Sequence, residues 1–494
     1  MTLLEGRQRM TELQTRAASS LHDAVELRRK FRAAFLAVAP AMFLASLDQT
    51  IVAAALPAMA LSFGGLAHVT WTVTGYLLAA TVAAPIYGRL GDAFGRRRML
   101  LWSLLFFFAG SFACAVASSL ARLVIGRCLQ GFGGGGLMTL AQALIGEVVS
   151  PKERGRFQGW FGAVFALAST IGPAAGGFLT QYISWRSIFW INIPLSIVAG
   201  ATALRIRTAD GAGRYRTDYP GVFFFTLGTV VLLLALTFGG HEIGWTSAPL
   251  LGLLAFSGLS FVLLCTTERH SPDPLLPPRL VSNPVIWRAT LIVLLFASVL
   301  FGFIVQLPLF LQAEFGVSTN ISGLLLIPLT VAQVAVSTST GLRISSTGRP
   351  RNLMLVGLFV VSLASWALIA ALSHGPAWVA LLTFLIGAGL GSTMPAAQTM
   401  VQWAAGESDL GEAIALLSFA RSVGGVFGAA ITSAILVAIE PTVAGSSAFR
   451  ASGFQWMFFA LGILALLAAM IVATLRDVDL SQPQRDGLLQ KSTI

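Results

Sequence analysis

From residue 33 to residue 475 the chain alternates between long apolar runs and short polar breaks. A helix that crosses a bilayer needs about 20 predominantly apolar residues at 1.5 Å rise per residue. On that measure the pattern predicts fourteen spans. Six come first, at 33–59, 70–90, 98–119, 121–146, 157–181 and 187–205. Two follow at 220–239 and 248–267, then six at 287–312, 319–342, 352–372, 376–402, 411–438 and 453–475. The breaks at 119–121 and 181–187 are short, so the helices they join are antiparallel neighbours.

Two motifs recur at one offset. "GRLGDAFGRRR" (Gly88 to Arg98) follows the second span, and "GLRISSTGRPR" (Gly341 to Arg351) follows the tenth. Each has Gly at its first and eighth positions and a basic cluster after. "QGFGGGGLMTLAQ" (Gln130 to Gln142) matches "IGAGLGSTMPAAQ" (Ile386 to Gln398), pairing Gly131, Gly133, Gly135, Met138 and Gln142 with Gly387, Gly389, Gly391, Met394 and Gln398. Two repeated halves around a central site are the architecture of alternating-access transporters. The expected fold is an all-α polytopic membrane protein of two six-helix bundles plus two inserted helices. Its expected parts are a cytoplasmic segment 1–32, a bundle 33–205, the insertion 206–286, a bundle 287–475 and a tail 476–494.

Charge fixes the orientation. Arg28, Arg29, Lys30, Arg96, Arg97, Arg98, Lys152, Arg154, Arg214, Arg269, Arg349 and Arg351 fall on one side of the predicted spans. That side is expected to be cytoplasmic, with both termini on it, in a multi-pass protein of the cell (inner) membrane. No cleavable signal segment is expected. Residues 10 to 30 are expected as a short amphipathic helix on the cytoplasmic face or as disordered chain.

Composition narrows the function classes. The 494 residues are 56% hydrophobic and 11% charged, against about 25% charge in a soluble domain. The net charge of +11 suits loops facing anionic lipid, and the apolar runs leave no surface for nucleic acid. Cys114, Cys128 and Cys265 lie in apolar runs without paired spacing, so neither a metal site nor a disulfide framework is expected. No "GKS" or "GKT" marks a nucleotide site, and no soluble segment is large enough to hydrolyse ATP. The expectation is a transporter, not an enzyme. It needs no cofactor, uses protons as coupling ion, works as a monomer, and meets membrane lipids and a small amphipathic substrate.

Three charges lie deep in the spans. Asp48 is about fifteen residues, or about 22 Å, above the start of its helix, and a buried carboxylate persists only where it serves a partner or a pathway. Arg127 lies at a neighbouring depth with Gln130 on the same face, so Arg127 is expected to hold Asp48 or a backbone carbonyl. Asp48 and Arg127 are the proton-coupling candidates. Arg421 leaves three roles open: neutralising Glu412 or Glu407, lining the central cavity, or binding a lipid or anionic substrate. Gln49, Gln130, Gln306, Gln398, Tyr76 and Phe301 are further cavity candidates, and Trp71 and Phe303 would extend an aromatic wall for a lipophilic cation. Gly88, Arg89, Gly91, Asp92, Gly95 and Arg96 form a charged hairpin in which Asp92 latches the cytoplasmic face. Gly172, Pro173, Gly176 and Gly177 are expected to kink the fifth span and to pack it against a helix of the second half.

These motifs resemble the major facilitator superfamily, and within it the fourteen-helix drug:proton antiporter branch. "LDQTIVAAALP" (Leu47 to Pro57) resembles that branch's first-helix signature, "GRLGDAFGRRR" its loop motif, "RCLQGFGGG" (Arg127 to Gly135) its fourth-helix motif, and "GPAAGG" (Gly172 to Gly177) with "SWRSIFWINIP" (Ser184 to Pro194) its fifth-helix motif and continuation. The resemblance implies alternating-access export of amphipathic or lipophilic compounds, cations among them, in exchange for protons. It also implies a proton-coupling role for the fourth-helix Arg. Relatives on this scaffold export single metabolites or lipids, and a uniporter or importer is a further alternative. Polyspecific members carry more acidic residues in second-half helices. Here Glu314 is near an outer end, and Glu407, Asp409 and Glu412 are at the cytoplasmic rim. That weakens the case for dicationic substrates and leaves Asp48 as the main coupling candidate.

Overall fold

The structure is a computed structural model. It describes residues 2–63, 66–148, 151–206, 218–239, 243–317, 325–371, 375–406, 409–439 and 447–475. The side chains of residues 2–28, the side chain of Pro173, Glu407 and the tail 476–494 lie outside the described residues.

All regular structure described is helical. The first group is α1 (Thr2–Phe63), α2 (Leu66–Phe94), α3 (Arg96–Ala115), α4 (Leu120–Val148), α5 (Pro151–Tyr182), α6 (Ser187–Trp190) and α7 (Asn192–Ala203). Next come α8 (Tyr219–Phe238), α9 (Ala248–Glu268) and the short α10 (Pro278–Ser282). The last group is α11 (Pro284–Phe315), α12 (Ile327–Thr347), α13 (Pro350–Ala371), α14 (Pro376–Ala405), α15 (Leu410–Ile439) and α16 (Ser447–Thr474).

Among the described residues, nine helices are long and apolar enough to cross a membrane, which falls short of the fourteen expected. The shortfall has a chemical side. Glycines, Arg127 and Gln130 dilute the hydropathy of α4, and Ser and Thr dilute that of α12. The segment expected as one span at 187–205 is divided at Ile191 into α6 and α7. Pro194 has no N–H to offer the Trp190 carbonyl four residues back, so the ladder breaks there. The basic segment before residue 31 continues α1 without interruption, and is not a separate short helix.

Buried side chains form separate cores. Two apolar clusters draw only on residues 31–206 and two only on residues 280–475. Phe225, Leu264 and Leu275 make a smaller cluster between α8 and α9, against Ile86 of α2 and Phe419 of α15. The inserted pair therefore docks on the seam between the groups.

The repeated glycines act alike in both copies. Gly95 and Gly348 have φ of 93° and 69°, a region that favours glycine, and each turns the chain between two helices. Gly131 and Gly135 leave no room for a Cβ against the α2 backbone, as Gly387 and Gly391 leave none against α12. Sequence similarity at these positions is thus similarity of helix contact. The fifth span α5 packs against α12 of the second half, while the Cβ positions of Gly172 and Gly177 face elsewhere. Gly172 packs on Thr50 of α1, inside the first group, and Thr50 Oγ1 donates to the Ala168 carbonyl at 3.3 Å. Gly177 meets open space.

Candidate functional site

Five helices converge on Asp48, whose side chain is fully buried. Arg127 Nη1 of α4 donates to Asp48 Oδ2 at 2.6 Å and to Gln130 Oε1 at 2.6 Å. Gln130 Nε2, one turn along the same helix, donates to Asp48 Oδ1 at 2.8 Å and to Ser111 Oγ of α3 at 2.8 Å. Asn192 Nδ2, at the start of α7, donates to Asp48 Oδ1 at 2.8 Å. Arg127 Nε donates to the Thr72 carbonyl of α2 at 3.1 Å, and the Tyr76 ring centre lies 4.2 Å from the guanidinium carbon.

This geometry answers a solvation problem. A buried ion pair repays its desolvation only with good geometry and further hydrogen bonds. Here three side chains donate to one carboxylate, and the cation gains a carbonyl, an amide oxygen and a ring face. Gly110 makes the approach possible, because a Cβ there would overlap the backbone of Gln130.

A second constellation closes the arginine-rich face. Asp92 Oδ1 accepts from Arg96 Nη2 at 2.6 Å, and Oδ2 accepts from the N–H groups of Gly411 and Glu412 at 3.0 and 3.3 Å. Those N–H groups belong to the first turn of α15, where orphan donors and the helix dipole favour an anion. Arg89 pairs with the buried Glu412 across the seam and reaches Asp273 at 3.5 Å, while Arg279 binds Asp409 at 2.6 Å. Above this layer, Ala143 packs with Leu410 and Ile414, and Gln398 Nε2 donates to Gln142 Oε1 at 2.7 Å. The two groups of helices are shut against each other on this face.

A family model described as Major Facilitator Superfamily matches residues 38–218, 221–429 and 342–492. The chain belongs to the major facilitator superfamily. It is 35% identical over 400 residues to the multidrug transporter protein MdtP of Bacillus subtilis, covering 80% of this chain and 73% of that one. It is 34% identical over 406 residues to the MFS-type transporter Rv1877 of Mycobacterium tuberculosis, covering 82% of this chain but only 59% of the longer relative. The structure of a double-Trp mutant of XylE superposes with a TM-score of 0.67 at 13% identity, over 92% of this chain and 97% of that one, and so speaks for the fold alone.

As a major facilitator protein the chain is a multi-pass membrane protein and a secondary transporter of small molecules, not an enzyme. Its other sequence-selected residues are spread over distinct places. Gln49, beside Asp48, is exposed. Tyr76 and Gln130 are buried in the Asp48 network. Gln306 is buried and donates to Ser433 Oγ at 2.8 Å. Phe301 is half-buried against Gly425. Trp71 faces Phe238 of α8, and Phe303 stacks on Phe458, so neither joins Phe301 in a wall. Glu412 is taken by Arg89, so it does not neutralise Arg421. Asn192 and Ser111 escaped sequence reasoning. The signal for Asn192 was an amide within "SIFWINIP", directly after a helix break that only the structure reveals. Among the described residues, no group of three His, Cys, Asp or Glu side chains could hold a metal.

Proposed function

We propose that this transporter exports amphipathic compounds across the cell membrane in exchange for protons, moving its two bundles about the central seam. On this reading the chain crosses the membrane fourteen times, as in the drug:proton antiporter branch. Its arginine-rich face and both termini are cytoplasmic, and the form described here is closed to the cytoplasm.

The observation that carries the proposal is the Asp48–Arg127 pair, held by Gln130 and Asn192. With Asp48 ionised the pair is neutral and fully hydrogen-bonded. A proton on Asp48 removes the countercharge and leaves Arg127 buried without it, a situation that costs about 3–5 kcal/mol when made by mutation. The bundle relieves that cost by rearranging α1 against α4 and α7. Protonation state and helix arrangement are thereby linked, which proton-coupled exchange requires. The names of relatives such as MdtP and the efflux pump dotC support export as the direction. The test is efflux from proteoliposomes across a compound panel, with and without a pH gradient. Gradient-dependent efflux supports the proposal, and equal flux under both conditions overturns it.

A further inference from the structure

Among the described residues, three charged side chains lie well inside the apolar spans read from the sequence: Asp48, Arg127 and Arg421. Asp48 and Arg127 satisfy each other. Arg421 is half-buried and makes no hydrogen bond, ion pair or ring contact among the described residues. An unpaired cation at such depth is costly, so its position calls for a partner from outside the chain.

Its direction follows from the neighbours on α15. Gly424 and Gly428 lie against the α11 backbone at Leu294 and Ser298, while Gly411 and Ala415 lie against α2 at Asp92 and Gly88. The strip between those faces carries Ile414, which packs on Ala143 of the first group. Arg421 is seven residues further on, within about 20° of the same face and about 10 Å deeper. It therefore points into the seam above the closed gate, one turn from Gly425, on which the Phe301 ring lies. The described carboxylates nearby are occupied: Glu412 by Arg89, Asp92 by Arg96 and the α15 N-terminus, and Asp48 by its network.

We infer that Arg421 receives the acidic group of the transported compound, so that the substrates are amphipathic organic anions with an apolar body that packs near Phe301. This replaces the lipophilic cations anticipated from the sequence: the seam offers them no free carboxylate among the described residues. The inference rests on the seam being the transport path. A guanidinium suits carboxylate, sulfonate or phosphate alike, and the source is either a soluble compound or an anionic lipid.

The test is equilibrium binding to purified protein in phosphatidylcholine nanodiscs without a pH gradient, so it is independent of proton coupling. The probes are pairs with one apolar body and opposite charge, naphthylacetate against naphthylmethylammonium and dodecyl sulfate (below its micelle concentration) against dodecylammonium. Wild-type protein is expected to prefer the anion of a pair. Arg421→Gln is expected to lose about ten- to a hundredfold of anion affinity without losing cation affinity, and Arg421→Lys to keep most of it. Competition by phosphatidylglycerol in the discs identifies lipid as the source, and its absence identifies a soluble compound; either supports the inference. Equal binding of both charges, no binding of any anion, or an unchanged preference in Arg421→Gln overturns it. Loss in both Arg421→Gln and Arg421→Lys of anion and cation binding together also overturns it. Failure here leaves proton-driven export standing, because that is read from gradient-dependent flux.

Discussion

Gln142 and Gln398 occupy the same position in the two repeats, and they touch: Gln398 Nε2 donates to Gln142 Oε1 at 2.7 Å. Equivalent residues of two related halves meet only on the axis that relates them. The pair therefore marks the pseudo-two-fold axis of the molecule. It lies within the closed layer that includes Ala143, Leu410 and Ile414.

Removing that contact loosens the gate. Gln142→Ala is expected to cost the closed form about 1 kcal/mol, a shift of about fivefold in its population. The measurement is cross-linking of cysteines placed at Ala143 and Ile414 in a background without native cysteine. Cross-linking falls in Gln142→Ala, falls equally in Gln398→Ala, and falls little further in the double variant, because both remove one interaction.

Arg89 and Glu412 behave as a unit. Arg89→Ala leaves Glu412 buried without its countercharge, and the closed form is expected to lose about 3–5 kcal/mol. The double variant Arg89→Ala/Glu412→Ala loses less than Arg89→Ala alone. Alkylation of a cysteine at Ile414 from the arginine-rich face reads both, and a larger loss in the double variant would contradict the pairing.

The glycines divide by what a methyl group would meet. Gly131→Ala forces a Cβ onto the Tyr76 carbonyl and is expected to cost about 1–3 kcal/mol. Gly177→Ala meets open space and is expected to stabilise α5 by about 0.5–1 kcal/mol through helix propensity. Thermal unfolding in one detergent orders the proteins Gly177→Ala, wild type, Gly131→Ala from most to least stable.

Asn192 supports the Asp48 carboxylate from α7. Asn192→Ala is expected to remove one charge-assisted hydrogen bond, worth about 1.5–3 kcal/mol, and to lower both melting temperature and gradient-driven flux. Asn192→Leu, which also removes the amide, should match it in flux; full flux in both would remove Asn192 from the site.

The sequence carried much of this arrangement because the repeat is written in contacts. Gly95 and Gly348 both turn the chain with positive φ, and Gly131 and Gly387 lie against equivalent helices of their own halves, α2 and α12, so one alignment implied both. The meeting of Asp48 and Arg127 was legible from depth along two helices. Other features were not. Glu412 finds Arg89 across 323 residues, and that pairing exists because the gate is shut, a state that composition does not encode. Tyr76 read as a cavity aromatic, but α4 turns Arg127 onto its ring inside the bundle. Gly172 read as an interface with the second half, yet α1 comes nearer. Pattern gives the face and depth of a residue. It does not choose among several helices that reach that depth.

The central claim is that Asp48 couples protons to transport. It is tested most directly with Asp48→Asn in proteoliposomes, measuring gradient-driven flux and substrate counterflow in the same preparation. Asparagine keeps the size of the side chain and one acceptor oxygen while removing the titratable charge. The account predicts that gradient-driven flux is lost while counterflow persists. Full gradient-driven flux in that variant would contradict it.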